Sequence, residues 1–230
     1  MNVVLITAGG MGERFGAKTP KQFHNIDGKP LIIYTLEKFQ QHAKIDAIVV
    51  SCLAGWEQTL WDEAAKFGIT KLKYVTVGGD SNQESICNGV AEIDKHFDDD
   101  TSVLIHDAAR PLVTEQIITD CLDVLEKHGN AIACIPCLEP LLRVNEQGEP
   151  KCSHDFYPRE GVMRAQAPQG FSLKLLKWAH AEAAKQNITH TTASSVLMQK
   201  LGVKLYCSKS STNNIKVTTQ DDIAFLNAWL

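Results

Sequence analysis

NVVLITAGG, residues 2–10, is the stretch that decides the fold. It is a short apolar run, rich in β-branched residues, that stops at two glycines, which is typical of a buried parallel strand ending at a functional loop. Similar runs recur at residues 47–52, 73–77, 102–106 and 131–137. Each run therefore predicts a strand of one sheet.

Amphipathic patterns of helical period lie between these runs. Apolar residues recur every three or four positions over residues 31–39, 56–67, 86–97 and 117–125, a spacing that places them on one face of a helix. Strand and helix therefore alternate along the chain, which predicts parallel strands joined by right-handed helical crossovers. We expect an α/β sheet covered by helices on both faces.

The regular alternation stops between residues 138 and 166. The turn-rich stretch NEQGEP, residues 145–150, interrupts short mixed segments there, and this pattern indicates an inserted arm. Beyond the arm, helices are predicted over residues 172–186 and 191–201, strands over 203–208 and 214–217, and a last helix that Thr219 and Asp222 cap. Ligands of open α/β sheets bind at the carboxyl ends of the strands, so the informative residues should follow the strands.

The composition is that of an ordinary globular protein, with 44% hydrophobic and 22% charged residues among 230. The 23 Lys and Arg against 27 Asp and Glu give a formal net charge of −4, whereas nucleic-acid binders usually carry a basic excess, so we expect no nucleic-acid partner. Apolar stretches fall far short of the roughly 18 residues that cross a bilayer, and no signal peptide is expected. We therefore expect no membrane partner. Seven cysteines scattered through apolar segments predict reduced thiols and a cytoplasmic location.

Cys134 and Cys137 have the spacing of a redox or zinc motif. A structural zinc site needs a second pair of ligands, and the sequence offers none with matching spacing. Because both residues lie in an apolar run, the pattern favours buried thiols.

Glycines and cations follow the first predicted strand. The loop AGGMGERFG, residues 8–16, is followed by PKQF, residues 20–23. A glycine-rich turn lets backbone N–H groups approach phosphate oxygens, and Arg14, Lys18 and Lys21 add positive charge. The glycine spacing fits neither the dinucleotide fingerprint nor the Walker motif. The alternative is a tight turn followed by a solvated basic helix face.

Two further segments carry polar groups at predicted strand ends. GGDSNQES, residues 78–85, is a second glycine turn that leads into a helix. NNIKVTT, residues 213–219, places Lys216 in an otherwise uncharged predicted strand. A lone strand lysine is more often an edge residue than a ligand, so this signal is weak by itself.

Asp107 stands in HDAARP, residues 106–111, at the end of the fourth predicted strand. Mg²⁺ prefers carboxylate and phosphate oxygens, so Asp107 is a candidate ligand. The alternatives are that it caps the following helix or pairs with Arg110.

Taken together, the four segments resemble the family of cytidylyltransferases that act on 2-C-methyl-D-erythritol 4-phosphate and on ribitol 5-phosphate. The matching motifs run in order over nearly the whole chain. The resemblance implies a Rossmann-like, three-layer nucleotidyltransferase sheet that is mostly parallel, with about seven strands. It also implies one cytidylyltransferase domain over residues 1–230, with a β-arm inserted at residues 138–166.

In that family the substrate's phosphate attacks the α-phosphorus of CTP, giving a CDP-alcohol and pyrophosphate. A phosphate monoester has its second pKa near ~6 and is mostly ionised at neutral pH, so no general base is required. The difficulty is the approach of two polyanions, which fixed positive charge and a metal relieve. By resemblance, Asp107 holds Mg²⁺, and the catalytic residues are Arg14, Lys21, Arg159 and Lys216.

The resemblance also implies how CTP is held. The loops at residues 7–10 and 79–85 would enclose the cytosine, which backbone groups and Ser85 read, while Arg110 fixes the strand-end loop. The residues expected to bind CTP are Thr7, Ala8, Gly9, Gly10, Gly12, Gly79, Asp80, Ser81, Asn82, Ser85, Asp107, Ala108 and Arg110.

In the family the arm crosses to a second subunit and completes that subunit's acceptor site. The resemblance therefore implies a homodimer, with Arg159 acting in its own site or in the neighbouring one. From the residues alone, the same stretch is a long surface hairpin.

This sequence departs from the family pattern mostly in the segments that the family uses to bind the acceptor. Glu139 and Pro140 stand where methylerythritol enzymes usually have Asp-Thr, and residues 190–194 lack two acids that those enzymes carry. Asn82 replaces a common arginine, and Gly9 resembles the ribitol-phosphate branch. These changes favour D-ribitol 5-phosphate, a precursor of cell-surface polymers, as acceptor. The alternative is 2-C-methyl-D-erythritol 4-phosphate, as in isoprenoid biosynthesis.

Two rival functions stay open. A sugar-1-phosphate nucleotidyltransferase would use another base, but such enzymes usually add a larger sugar-binding half. A non-catalytic regulator could bind CTP with the same loops. The joint presence of Arg14, Lys21, Asp107 and Lys216 argues against the regulator, because binding alone does not need cations for both substrates.

Overall fold

One seven-stranded sheet holds the five strands that were predicted before residue 138. The computed structural model describes residues 1–12, 15–16, 19–142, 144–149, 156–157 and 160–229. Within them the strands are β1 (Asn2–Ala8), β2 (Asn25–Ile26), β3 (Lys29–Pro30), β4 (Ala47–Cys52), β5 (Leu72–Val77), β6 (Ser102–Asp107), β7 (Asn130–Pro136), β8 (Leu141–Leu142), β9 (Phe156–Tyr157), β10 (Met163–Ser172) and β11 (Cys207–Lys209). The helices are α1 (Leu31–Gln41), α2 (Glu57–Lys66), α3 (Asn82–Asp94), α4 (Glu115–His128), α5 (Leu173–Lys185), α6 (Ser194–Lys200) and α7 (Asp221–Asn227), with a short 3-10 helix over Lys21–Phe23.

The order of the strands across the sheet is β11-β7-β10-β6-β1-β4-β5. Strand β1 pairs in parallel with β4 and β6, and the pairs β4–β5 and β7–β11 are also parallel. Strand β10 runs antiparallel to both of its neighbours, β6 and β7. The expected α/β fold with a mostly parallel sheet is thus confirmed.

Helices cover both faces of the sheet. Successive residues of a strand point to opposite faces, so neighbouring side chains are buried in different cores. Val4 and Ile6 of β1 pack on one face, in the core that also holds side chains of α1 and α4. Val3 and Leu5 pack on the other face with side chains of α3 and α5. All four β1 side chains are fully buried, and each contributes about 1.5–3 kcal/mol to stability. This explains why the strand reads as an unbroken apolar run.

The predictions for the C-terminal part were partly wrong. The strand expected over residues 203–208 is limited to β11, and residues 214–217 lie in a loop. The loop is held without a strand ladder, since the Val217 N–H donates to the Ala109 carbonyl at 2.8 Å. Asp222 does act at the start of α7, where its Oδ2 accepts hydrogen bonds from the N–H groups of Thr218 and Thr219, at 2.6 and 2.9 Å.

The interruption between residues 138 and 166 contains a small antiparallel pair, β8 with β9. Large apolar side chains of this stretch are exposed, with Leu138 and Leu142 each at 69%. The predicted arm ends too late in the sequence, because residues 163–166 belong to β10, where Met163, Arg164 and Ala165 pair with β7. The described part before β10 contains a hairpin whose apolar side chains are left uncovered within one chain.

The helices and the cysteines of the described residues can be compared with the expectations from the sequence. Among the helices of the described residues, none is long and apolar enough to cross a membrane. Cys134 and Cys137 are each 5% exposed, as the apolar run predicted. Within the described ranges no three His, Cys, Asp or Glu side chains come together as a metal cluster.

Candidate active site

The carboxyl ends of β1, β4, β5 and β6 open into a cavity of about 600 Å³, here called the larger cavity. It gathers the predicted residues from loops that are far apart in sequence. Lys21 and Lys216 line it, together with Thr7, Ala8, Gly9, Gly10, Gly12, Gly79, Asp80, Ser81, Asn82, Ser85, Asp107 and Ala108. The rule that ligands bind at strand ends therefore located the site.

The glycine loop after β1 is held by Gln22, which is 2% exposed. Its amide Nε2 donates to the carbonyls of Ala8 and Gly10, at 2.7 and 3.1 Å. Gly12 has a φ of +73°, and a Cβ there would lie 3.0 Å from Lys21 Cγ. Only glycine combines this φ with so close an approach at low cost. The loop can thus fold around the Lys21 side chain.

The second wall of the larger cavity is the turn before α3. Ser85 Oγ accepts a hydrogen bond from the Gly79 N–H at 3.0 Å, so the Ser85 hydroxyl orders this turn. A Cβ at Gly9 would lie 2.8 Å from Ser85 Oγ, which leaves no room for a side chain at position 9. The two glycine turns therefore pack directly against each other, and backbone groups form much of the wall.

Asp107 ends β6 between two cations. Its Oδ2 accepts from Arg110 Nε at 2.8 Å, and its Oδ1 accepts from Lys216 Nζ at 2.7 Å. Burial alone would raise the pKa of Asp107, but the charges of Lys216 and Arg110 and their hydrogen bonds outweigh it and hold the pKa well below its usual range. The carboxylate is consequently ionised at neutral pH. The expected pairing of Asp107 with Arg110 occurs, and Lys216 is a second partner.

Arg110 ties this cluster to the C-terminal loop. Its Nη1 donates to the Asn214 carbonyl at 2.7 Å, and the Asn214 amide donates to the Ala167 carbonyl at 2.7 Å. From the other side, Lys21 Nζ donates to the Val217 carbonyl at 3.0 Å. Lys216 is therefore presented by a loop that Arg110 and Lys21, from two other segments, and the loop's own Asn214 hold in place.

A smaller cavity of about 280 Å³ adjoins the larger one. The two share Thr7, Asn82, Asp107 and Lys216. The smaller cavity continues toward β10 and the segment before α6, where its lining residues include Gln166, Thr192, Ser194 and Ser195. Two connected cavities with charged groups at their junction can bring two phosphate-bearing molecules together.

The structure places one predicted residue differently from the sequence expectation. Arg110, expected among the CTP-binding residues, lines the smaller cavity and not the larger one, because its guanidinium turns toward Asp107 and Asn214. Asn82 lines both cavities, and its amide donates to the Thr192 carbonyl at 3.2 Å. The predicted cations Arg14, Lys18 and Arg159 lie outside the described residues.

Sequence reasoning missed several residues of the larger cavity. Leu53 and Ala54 directly follow β4, so the strand-end rule could have found them. Gln22 carried a weaker signal, as the neighbour of Lys21 in PKQF. The other lining residues that the prediction missed are Met11, Gly78, Ala109 and Thr218.

This chain is similar to known proteins over almost its whole length. The family described as 2-C-methyl-D-erythritol 4-phosphate cytidylyltransferase matches residues 2–230. The ribitol-5-phosphate cytidylyltransferase of Lacticaseibacillus paracasei is 38% identical over 232 residues, covering 100% of this chain and 98% of the relative. That of Vibrio parahaemolyticus is 40% identical over 229 residues, covering 99% and 95%. Among solved structures, the 2-C-methyl-D-erythritol 4-phosphate cytidylyltransferase of Francisella tularensis has a TM-score of 0.82 at 26% identity, covering 100% of this chain and 99% of that one.

Proposed function

Because this chain belongs to the 2-C-methyl-D-erythritol 4-phosphate cytidylyltransferase family, we propose that it transfers CMP from CTP to D-ribitol 5-phosphate and releases pyrophosphate. The observation that carries the proposal is the junction of the two cavities, where Asp107 and Lys216 face both. The larger cavity takes CTP, and the smaller one takes the polyol phosphate.

In the reaction, a phosphate oxygen of the acceptor attacks the α-phosphorus of CTP. The bond from that phosphorus to the oxygen bridging it to the β-phosphorus breaks, and pyrophosphate leaves with the electron pair. Lys21, beside the glycine loop, stabilises the charge on the reacting phosphorus and on pyrophosphate, while Lys216 holds the attacking phosphate. Such fixed charges stabilise the transition state because they need no reorganisation during the reaction.

The family implies Mg²⁺, and the residues at the junction fit it. Mg²⁺ in phosphoryl-transfer sites is commonly held by one or two carboxylates together with substrate phosphates. Asp107 supplies one carboxylate, kept ionised by its neighbours and about one-fifth exposed. When bound, the ion would neutralise charge on the CTP phosphates. Lys216, now paired with Asp107, would then be available to the acceptor phosphate.

Identity to named relatives supports ribitol 5-phosphate as the acceptor. The relatives at 38% and 40% identity carry the ribitol-5-phosphate name, whereas relatives named for 2-C-methyl-D-erythritol 4-phosphate are 31% to 34% identical. The neutral lining of the smaller cavity beyond the junction also suits a hydroxyl-rich chain. 2-C-methyl-D-erythritol 4-phosphate is the alternative acceptor. The proposed location of the reaction is the cytoplasm, because the cysteines are expected to be reduced thiols.

The direct test is an assay of pyrophosphate release. The purified protein is incubated with Mg²⁺, each of the four nucleoside triphosphates in turn, and either ribitol 5-phosphate or 2-C-methyl-D-erythritol 4-phosphate. We expect turnover with CTP only and a higher kcat/KM for ribitol 5-phosphate. Turnover with UTP or GTP but not CTP would refute the proposal, a preference for the methylerythritol acceptor would support the alternative, and CTP binding without pyrophosphate would indicate a regulator.

We further propose that the arm makes a homodimer. The exposed apolar side chains of its described part are Leu138, Leu141, Leu142 and Val144, at 39% to 69% exposure. Monomeric proteins rarely leave such apolar groups clustered in water. If the partner's arm completes the acceptor site, dimer formation and turnover depend on each other.

Leu142→Glu is expected to shift the protein toward monomer and to lower turnover with it. Light scattering after gel filtration measures the mass, and the pyrophosphate assay measures the rate. Trp178→Glu is the matched control, because Trp178 is a 43% exposed apolar residue on α5, outside the arm. A Leu142→Glu protein that stays dimeric would remove the arm from the interface.

A further inference from the structure

The smaller cavity has a charged end and a neutral end. Asp107 and Lys216 line both cavities, and Arg110 is hydrogen-bonded to Asp107, whereas Gln166 and Ser194 line the smaller cavity alone. A polyol phosphate has the same asymmetry, with a charged phosphate at one end and hydroxyl groups along the rest. With its phosphate at Lys216, the acceptor's hydroxyl-bearing tail extends toward Gln166 and Ser194.

The neutral wall is held rigidly by buried amide side chains. Gln83 Oε1 accepts hydrogen bonds from both the N–H and the Oγ1 of Thr191, each at 2.9 Å. Gln169 Oε1 accepts from the Ser195 N–H at 2.9 Å. Gln83 and Gln169 are only 8% and 7% exposed. The segment that carries Ser194 is therefore fixed on both sides, as a residue that selects a substrate requires.

Ser194 itself is 4% exposed. Its Oγ is buried and has no hydrogen-bond partner within the part of the chain that the structure describes. A buried hydroxyl without a partner is unfavourable, and native proteins rarely keep one without a reason. Ser194 lines the smaller cavity, so rotation of its side chain about χ1 can bring the hydroxyl to a hydroxyl group of a bound molecule, which supplies the missing partner.

We propose that Ser194 is a specificity-determining residue whose hydroxyl hydrogen-bonds a hydroxyl group in the tail of the acceptor. This inference rests on the proposed function of the site. A serine hydroxyl both donates and accepts, so it suits an alcohol in either direction.

The test compares Ser194→Ala with the native protein on ribitol 5-phosphate and on a set of analogues that each lack one hydroxyl. We expect Ser194→Ala to lower kcat/KM for ribitol 5-phosphate about tenfold, through the acceptor KM, with the KM for CTP unchanged. For the analogue that lacks the contacted hydroxyl, the native protein and the variant should have equal kcat/KM. This equality identifies the hydroxyl, and a merely structural role of Ser194 would not produce it.

Ser208→Ala is the matched control, because it removes a 5% exposed serine of β11 that lines neither cavity. Its acceptor KM should equal the native value. If Ser194→Ala does not fold, Ser194→Cys keeps the shape with a weaker hydrogen-bonding group and should show the same pattern. Equal losses on every acceptor, or no loss on any, would overturn the role of Ser194 while the proposed function stands. A native protein that uses no polyol phosphate would overturn the proposed function itself.

Discussion

Lys21→Ala is expected to lower kcat about a hundred- to a thousandfold, because removal of one preorganised charge at a reacting phosphate typically costs that much. Lys21 sits where the glycine loop folds back, with its Nζ 3.0 Å from the Val217 carbonyl. The charge acts on the transition state more than on bound CTP, so the KM for CTP should change less than kcat. Steady-state pyrophosphate release, with CTP varied at saturating acceptor, measures both.

Lys44→Ala is a suitable control for that variant. Lys44 forms an exposed ion pair with Asp123 at 2.9 Å, and exposed pairs of this kind contribute little to stability. Its kcat should equal the native value. Near-native kcat in Lys21→Ala, with the same thermal unfolding temperature, would contradict the role of the glycine loop in binding phosphate.

Asp107→Asn is expected to lower kcat/KM at least about a hundredfold and to raise the Mg²⁺ concentration that gives half-maximal rate. Asparagine keeps the size of the side chain and one acceptor oxygen for Arg110, but it removes the charge that faces Lys216 and that would hold the proposed Mg²⁺. The measurement is a Mg²⁺ titration of the initial rate at fixed CTP and acceptor. Circular dichroism on heating checks that the fold is kept.

Asp107→Glu separates charge from position. It restores the negative charge on a chain one methylene longer, so we expect activity between those of the native protein and of Asp107→Asn. If Asp107→Asn needs no more Mg²⁺ than the native protein, Asp107 is not the metal ligand, and its task is limited to holding Arg110 and Lys216.

The strand-end residues could be predicted from the sequence because the local pattern contains the needed information. An unbroken apolar run marks a strand buried on both faces, and parallel strands bring their carboxyl ends to one edge. Thr7, Gly79 and Asp107 therefore meet in one cavity, although no two of them lie in the same segment. Their common position follows from the parallel arrangement of the strands, so it could be predicted without using net charge or composition.

The surroundings of Lys216 could not be predicted in this way. Residues 214–217 have the composition of a strand, yet their partners are single groups more than a hundred residues away, such as Asp107 and Arg110. Strand β10 was missed for a related reason. Its pairing shifts register between Ala165 and Gln169, where the sequence contains glutamines and a proline instead of an apolar run.

The direction of strand β10 determines where the arm joins the sheet. Because it runs against β6 and β7, its first residue, Met163, lies beside Pro136 at the carboxyl end of β7. The arm therefore leaves and re-enters the sheet at the carboxyl ends of the parallel strands, where Asp107 lies. A parallel strand in that place would have sent the arm to the opposite edge, far from Asp107. One reversed strand thus places both ends of the arm at the same end of the sheet as Asp107. Under the proposed function, the length and sequence of the arm can then change the acceptor while the CTP loops stay the same.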